Sequence, residues 1–227
     1  MFFDYYYLIL VVPALLIAAW AQMKVSGAFN RYSRVKSSRG YTGAQVARMI
    51  LDENGLYNVR VERISGNLTD HYDPRTNVVR LSDGVFNNSS VAAAGVAAHE
   101  CGHAVQHAHK YFPLVIRNSI IPVTNIGSTL SIPLIILGMI LSYGPLIDIG
   151  LLLFSLVAVF QLVTLPVEFN ASRRALATLE GSHFLEEEEL RGSKKVLQAA
   201  ALTYVAALLV SIAQLLRLVM ISGRRRD

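Results

Sequence analysis

The chain has 227 residues, of which 53% are hydrophobic and only 16% are charged. Soluble domains average about 25% charged residues, so this composition argues against an ordinary soluble protein and indicates a membrane protein. The net charge of +5 would suit a nucleic-acid partner, but no recognition motif is present and the basic residues cluster beside apolar segments. We therefore expect a lipid bilayer and no nucleic acid as partners.

The first predicted element is the apolar segment Tyr5–Met23, which begins with three tyrosines and ends near Trp20. Aromatic residues at the ends of an uncharged segment of this length are typical of a membrane-spanning helix. A cleaved signal peptide is the alternative, but Asp4 stands where such a peptide carries positive charge. We assign residues 1–23 to a first transmembrane helix.

The next region, residues 24–117, has the composition of a soluble domain and contains twelve lysines and arginines. Thr42 followed by Gln45 forms the pattern of a capping box, which predicts the start of a helix. An apolar face follows, and Gly55 predicts the end of that helix. About 95 residues are enough for one small core, so we expect an independent domain here.

Two strands are predicted in this domain. Tyr57, Val59 and Val61 alternate with polar residues, as in a half-buried strand, and Asn77–Leu81 predicts a second strand. The residues between them, 66–76, are rich in turn formers. We expect the second strand either to hold an extended substrate backbone near the active site or to belong to an ordinary hairpin.

A motif of the form H-E-x-x-H occupies residues 99–103. Two histidines four residues apart on a helix lie about 40° apart around its axis, so both rings can reach one metal ion. Zinc held by two imidazoles and a third protein ligand leaves a position for water, whose proton a nearby carboxylate can take. We predict that His99 and His103 bind Zn²⁺ and that Glu100 is the general base.

The motif indicates a metal site only if the residues around it form a helix. Ser89 or Ser90 can cap a helix, and residues 91–98 are mostly alanine and valine, which a helix accommodates. Cys101 points away from the two histidines on such a helix, so we interpret it as a packing residue. A buried helix whose histidines only form hydrogen bonds is the alternative to a metal site.

A transmembrane hairpin is predicted for residues 118–167, which carry a single charge. The breaker residues at 142–145 divide it into one helix at about 119–141 and another at about 146–165. Because a hairpin crosses the membrane twice, the chain returns at residue 168 to the side that it left.

Glu168 is the first charged residue after this hairpin and is our predicted third metal ligand. The return of the chain to the side of Arg117 brings Glu168 within reach of the H-E-x-x-H helix. A carboxylate that only reaches the membrane interface is the alternative interpretation.

The last region contains a polar segment, 168–195, and a fourth apolar span, Val196–Leu216, followed by a basic tail. The acidic run at 186–189 is typical of a solvated helix face. The two polar regions carry seventeen lysines and arginines, against four at the C-terminal end and none before the first span. The positive-inside rule therefore predicts a multi-pass protein of the cell membrane whose catalytic domain is cytoplasmic.

The fold class that follows is a mainly α membrane protein with about four transmembrane helices and a small zincin-like α+β domain between the first two. The predicted parts are a first span (1–23), the catalytic domain (24–117), the hairpin (118–167), a membrane-proximal segment with the third zinc ligand (168–195), and a fourth span with its basic tail (196–227).

Three stretches, 97–106, 165–175 and 196–206, carry a resemblance to a known family. Through them the sequence resembles the bacterial YugP-like neutral zinc metallopeptidases over nearly its whole length. That family is similar in plan to membrane gluzincins such as the prenyl-protein and heat-shock proteases, in which a distant glutamate completes the zinc site. The resemblance implies that His99 and His103 are ligands. It implies that Glu100 is the general base and Glu168 the third ligand.

A metzincin plan is the alternative for the third ligand. His109 stands where the extended motif H-E-x-x-H-x-x-G-x-x-H places its third histidine. Gln106 occupies the glycine position of that motif, so the helix has no evident reason to turn there. His107 lies one turn beyond His103 on the same stripe, but its ring points farther along the axis. We therefore favour Glu168.

The predicted function is hydrolysis of peptide bonds in protein or peptide substrates at the membrane surface. A non-enzymatic zinc-binding protein with an assembly or transport role is the alternative, in which His107 or His109 closes the fourth position. Glu100 favours the enzyme over the non-enzymatic protein, because a structural zinc site gains little from a carboxylate beside its ligands. Intramembrane proteolysis is a further alternative, but the motif lies in a polar domain.

Two supporting roles are predicted by residue type alone. A second donor to the developing oxyanion is expected, and the candidates are Tyr204, His183 and Arg173. Asn170 is a candidate acceptor for a hydrogen bond from one of the ligating imidazoles.

Overall fold

The computed structural model describes residues 4–223 and shows a mainly α protein with a small α+β part, as predicted. The chain divides into two compact units. Unit 1 comprises the described residues within 1–22, 115–166 and 202–227, and unit 2 comprises residues 23–114 and 167–201. In chain order the elements are α1 (Val12–Tyr32), α2 (Gly43–Glu53), β1 (Arg60–Ile64), β2 (His71–Asp73), β3 (Val78–Ser82), α3 (Asp83–Phe86), α4 (Val91–Ala108), α5 (Phe112–Ile140), α6 (Gly144–Gly181) and α7 (Glu187–Gly223), with a π-helical turn at Tyr7–Val11 before α1.

Four helices are long and apolar enough to cross a membrane, namely α1 with the turn before it, α5, α6 and α7. Their number and order match the four predicted spans. The helices extend beyond the predicted bounds. Helix α1 continues past Met23 and α5 begins before residue 119, while α6 continues past Leu165 and α7 begins before Val196. Apolar composition shows which part of a helix can lie in the bilayer. It does not show where the helix begins or ends, because polar residues on either side can continue the same helix.

Among the described residues of unit 1 there are close helix contacts through small residues and an ion pair. A Cβ added to Gly150 on α6 would lie 2.8 Å from the backbone oxygen of Ser131 on α5, so only glycine allows this approach. The Arg217 guanidinium on α7 donates to the Asp4 carboxylate, with Nη2 2.7 Å from Oδ2. These contacts join elements that are far apart in sequence.

Unit 2 contains the three-stranded sheet, whose strand order is β1-β3-β2. Strand β3 pairs in parallel with β1 and antiparallel with β2. Our prediction that Val78–Leu81 offers an edge to substrate was therefore wrong, because both sides of β3 are already paired. The alternative, an ordinary hairpin of the two predicted strands, was also wrong, because β1 and β3 are parallel. The predicted turn at 66–76 was also incomplete, since it contains β2, and β2 is an edge strand of this sheet.

Helix α4 passes through the core of unit 2. Its alanines at 92, 93, 94, 97 and 98 are buried, and they pack in one cluster with apolar residues of α2 and β3. The predicted caps are confirmed: Ser90 accepts from the backbone of Ala93, and Thr42 and Gln45 form the capping box of α2. Small side chains allow neighbouring helices to approach α4 closely, which positions the residues of the next section.

Candidate metal centre

The H-E-x-x-H motif lies in the middle of α4, which runs without a break from Val91 to Ala108. The His99 and His103 rings therefore project from the same face, with centroids 4.8 Å apart and planes at 83°. Each of these side chains is 12% exposed. The helix thus holds two imidazoles at the rim of a mostly buried site.

Glu168 on α6 faces both rings. Its Oε2 lies 3.2 Å from Nε2 of His99 and 3.4 Å from Nε2 of His103, and its side chain is only 3% exposed. One ligand atom from each of the three residues lies within 4.8 Å of the others, which is close enough to hold one metal ion. The structure thus brings together the three residues that were predicted as ligands.

The close approach of α4 and α6 depends on Gly102. A Cβ at this position would lie 2.8 Å from the backbone oxygen of Ala171 and 3.2 Å from its Cα. Real Cβ atoms do not come so close to backbone, so any larger residue would force the two helices apart. Gly102 therefore sets the distance between Glu168 and the two histidines.

The Nδ1 atom of each histidine has its own partner. His99 Nδ1 lies 3.1 Å from Oγ of Ser172, and His103 Nδ1 lies 3.0 Å from Oε1 of Gln106. With both Nδ1 atoms engaged in this way, both Nε2 atoms face Glu168. Asn170, our predicted acceptor, instead accepts from Gln106 and does not contact either imidazole directly.

Sequence reasoning missed Gln106 and Ser172. Gln106 was considered only as the residue that replaces a metzincin glycine. A signal was nevertheless present, because Gln106 follows His103 by three residues on the same helical face and is the one amide among apolar and small neighbours.

Electrostatics at the site favour a shared positive charge. Burial, the largest single effect, lowers the pKa of His103, but the hydrogen bond to Glu168 and the charges of Glu168 and Glu100 together raise it above its usual value. A cation, whether a proton or a metal ion, is thus stabilised between the imidazole and the carboxylate.

Glu100 is adjacent in sequence to a ligand residue but has a different environment. It is 8% exposed, and its carboxylate has no hydrogen-bond partner among residues 4–223. Burial raises its pKa, and the charges of His99 and His103 oppose that effect. A buried carboxylate without partners and with a raised pKa has the properties of a proton acceptor.

The remaining histidines of this region lie outside the cluster. His109 is the exposed C-cap of α4. His107 is also exposed, and its Nδ1 lies 2.8 Å from the hydroxyl of Tyr72 on β2. Cys101 is buried and directed toward the backbone of Ala47 on α2, as its packing role predicted.

The predicted oxyanion donors are His183, Arg173 and Tyr204. His183 and Arg173 are exposed, and Tyr204 belongs to unit 1. Their role stays a prediction.

The donor set fits zinc better than a hard cation. Two imidazole nitrogens and one carboxylate oxygen are ligands that zinc accepts, whereas magnesium and calcium sites are built mainly from oxygen. Zinc held by these three residues would keep one tetrahedral position for a reactant, as zinc does in catalytic sites.

Comparison with known proteins gives two matches. The sequence model of a family described as "Putative neutral zinc metallopeptidase" matches residues 7–223. The chain is also 51% identical over 221 residues to a protein of Bacillus subtilis (strain 168) named "Putative membrane protease YugP", and the alignment covers 97% of this chain and 98% of that protein. No solved structure matches the chain.

Proposed function

The chain belongs to the family of neutral zinc metallopeptidases, and from this membership we propose that it is a membrane zinc endopeptidase that hydrolyses peptide bonds of protein or peptide substrates. The observation that carries the proposal is the cluster of His99, His103 and Glu168 beside a Glu100 carboxylate that has no hydrogen-bond partner among the described residues. His99, His103 and Glu168 hold the metal, and Glu100 does not.

Zinc bound in this cluster supplies a Lewis acid that polarises the scissile carbonyl. Glu100 accepts a proton from the attacking water and then returns it to the leaving amine. Ser172 and Gln106 keep the two imidazoles in place while the proton moves.

Strand β2 is our proposed site for the substrate backbone. It is an edge strand, so one row of its backbone N–H and C=O groups faces away from β3. An extended peptide can add to such an edge by main-chain hydrogen bonds, which suits a protease that accepts varied sequences. This replaces the earlier prediction for β3.

The non-enzymatic alternative requires a fourth protein ligand. His107 and His109 are the nearest histidines in sequence, but His107 bonds to Tyr72 and His109 caps α4. A purely structural site also gives no role to the buried carboxylate of Glu100. The arrangement therefore favours catalysis.

The first test replaces Glu100 by glutamine in the full-length protein, purified in detergent. An amide has nearly the size of a carboxylate, so zinc should stay bound, while cleavage of an unfolded protein such as casein should fall by about 10²-fold or more. A chelator should abolish wild-type cleavage, and added zinc should restore it. A zinc-loaded Glu100→Gln protein that cleaves as fast as wild type would contradict the mechanism.

We also propose that unit 2 faces the cytoplasm, because its part of the sequence carries most of the lysines and arginines. Cysteines introduced at Arg60 and Glu187, both in unit 2, should react from the cytoplasmic side with a reagent that cannot cross the membrane. The native Cys101 is buried, and the unmodified protein measures its background. Labelling of the two positions from opposite sides would exclude Glu168 as a ligand.

A further inference from the structure

The side-chain amide of Gln106 is the starting point. The residue is fully buried, with 0% exposure, at the end of α4 nearest α6. Its Oε1 lies 3.0 Å from Nδ1 of His103, and its Nε2 lies 2.8 Å from the backbone oxygen of Val167 and 3.0 Å from Oδ1 of Asn170. A buried amide destabilises a protein unless it is hydrogen-bonded, and this one has three partners.

The direction of these hydrogen bonds is fixed by the backbone carbonyl of Val167, which can accept a hydrogen bond but cannot donate one. The carbonyl of Val167 can only accept, so the Gln106 atom facing it must be the NH₂ nitrogen. The other end of the amide, facing His103, must then be the carbonyl oxygen. This assignment follows from the backbone partner and does not depend on how the amide is drawn.

A second fixed group acts from the other side of Asn170. The Arg174 guanidinium can only donate, and its Nε lies 2.8 Å from the same Oδ1 of Asn170 that accepts from Gln106. Asn170 therefore presents an oxygen, which again requires the NH₂ group of Gln106. The two constraints agree, and both come from α6, the helix that also carries the proposed ligand Glu168.

Because Gln106 presents only an acceptor, His103 must keep a hydrogen on Nδ1. The one ring position left for exchange is Nε2, the atom that faces Glu168 at 3.4 Å. His99 differs, because its partner is the hydroxyl of Ser172, which can donate or accept. Ser172 therefore orients the His99 ring without selecting its tautomer.

We propose that Gln106 is a positioning residue that holds His103 in the tautomer presenting Nε2 to the metal, and that Asn170 and Arg174 hold the Gln106 amide in turn. This inference rests on the proposed function, since it assigns a role toward the same metal. It also gives a physical reason why α4 continues past the position where a metzincin helix has glycine: Gln106 must stay on the helix to face both His103 and Val167.

The experiment compares Gln106→Met with Gln106→Glu. Which of the two weakens zinc binding more depends on whether Gln106 accepts a hydrogen bond from His103 or only fills space. Methionine has nearly the length and volume of glutamine but cannot accept from His103. Glutamate keeps an acceptor oxygen but places a charge in a buried site. If Gln106 only filled space, Gln106→Met would be tolerated and Gln106→Glu would not.

We expect Gln106→Met to weaken zinc binding to the metal-free protein by about 10- to 100-fold, measured by competition with a chelating dye. Gln106→Glu keeps an acceptor for His103 but loses the donor to Val167 and Asn170, so it should recover only part of that loss. In zinc-loaded protein labelled with ¹⁵N-histidine, the hydrogen on Nδ1 of His103 should exchange slowly in the wild type and quickly in Gln106→Met. Ser172→Ala serves as the control and should leave this His103 resonance unchanged.

Arg174→Met provides a second variant at a less buried position, should Gln106→Met fail to fold. It removes the donor that fixes Asn170 and should weaken zinc binding by about threefold to tenfold, less than a change in Gln106 itself. Wild-type zinc affinity in Gln106→Met, or in Arg174→Met if only that variant folds, would overturn the role of Gln106. A wild-type protein that binds no zinc would overturn the proposed function, and this role with it.

Discussion

Two histidines one turn apart on α4, His103 and His107, have contrasting surroundings. His103 is mostly buried and hydrogen-bonded on both nitrogens, to Glu168 and to Gln106. His107 is exposed, and its Nδ1 lies 2.8 Å from the hydroxyl of Tyr72 on edge strand β2. The spacing of four residues that joins His99 to His103 also joins His103 to His107. Spacing alone therefore does not select a metal ligand; a carboxylate on the facing helix does.

Helix α4 therefore has two groups of residues with different surroundings. The ligand side, formed by His99, His103 and Gln106, is mostly buried and contacts α6. The β2 side, formed by His107 one turn farther along, contacts β2 and is exposed to solvent. We expect changes on the ligand side to act on zinc, and changes on the β2 side to act on substrate.

The largest effect is expected from Gly102→Ala on the ligand side. The new Cβ would meet the Ala171 backbone at 2.8 Å and move α6, and Glu168 with it, away from the histidines. Zinc binding should weaken by about tenfold or more, with a loss of about 1–3 kcal/mol in unfolding free energy. Dye competition and thermal unfolding measure the two quantities.

Gly95→Ala is the matched control on the same helix. Its Cβ would lie 3.1 Å from Ser193 on α7, which is not a ligand, so stability should fall while zinc affinity stays near wild type. Equal zinc loss in Gly95→Ala and Gly102→Ala would show that overall stability, and not the distance between α4 and α6, controls the site.

A smaller effect is expected from Tyr72→Phe on the β2 side. The phenol hydroxyl lies 2.8 Å from His107 and 3.0 Å from Asn77, and one such hydrogen bond contributes about 0.5–1.5 kcal/mol. The specificity constant kcat/KM should therefore fall by up to about tenfold, with zinc affinity unchanged. A parallel loss of zinc would remove the distinction between the two sides.

The placement of the motif residues on α4 could be predicted from the sequence because it depends on local spacing. Two histidines and a glutamate in five residues, on a stretch that must be helical, define one face of α4. Glu168 could be predicted because it is the first charge after a hairpin that returns the chain to the same side. The four spans followed from uninterrupted apolar composition.

The sheet could not be predicted in the same way. Strand β2 has only three residues within a segment rich in turn formers, so no period was visible. The central place of β3 depends on which strands pair, and pairing is decided by contacts distant in sequence. The extra turns of α6 and α7 were missed because their residues are polar. Polar residues indicate where the membrane-spanning part of a helix ends, and the helix itself can continue beyond that point.

The central claim is that Glu168 on α6, and not His109 at the end of α4, completes the metal site. The most direct measurement is zinc per chain, by mass spectrometry of the metal, on folded wild-type, Glu168→Ala and His109→Ala proteins purified in parallel. We predict about one zinc in wild type and in His109→Ala, and almost none in Glu168→Ala. Full zinc in Glu168→Ala together with loss in His109→Ala would contradict this account.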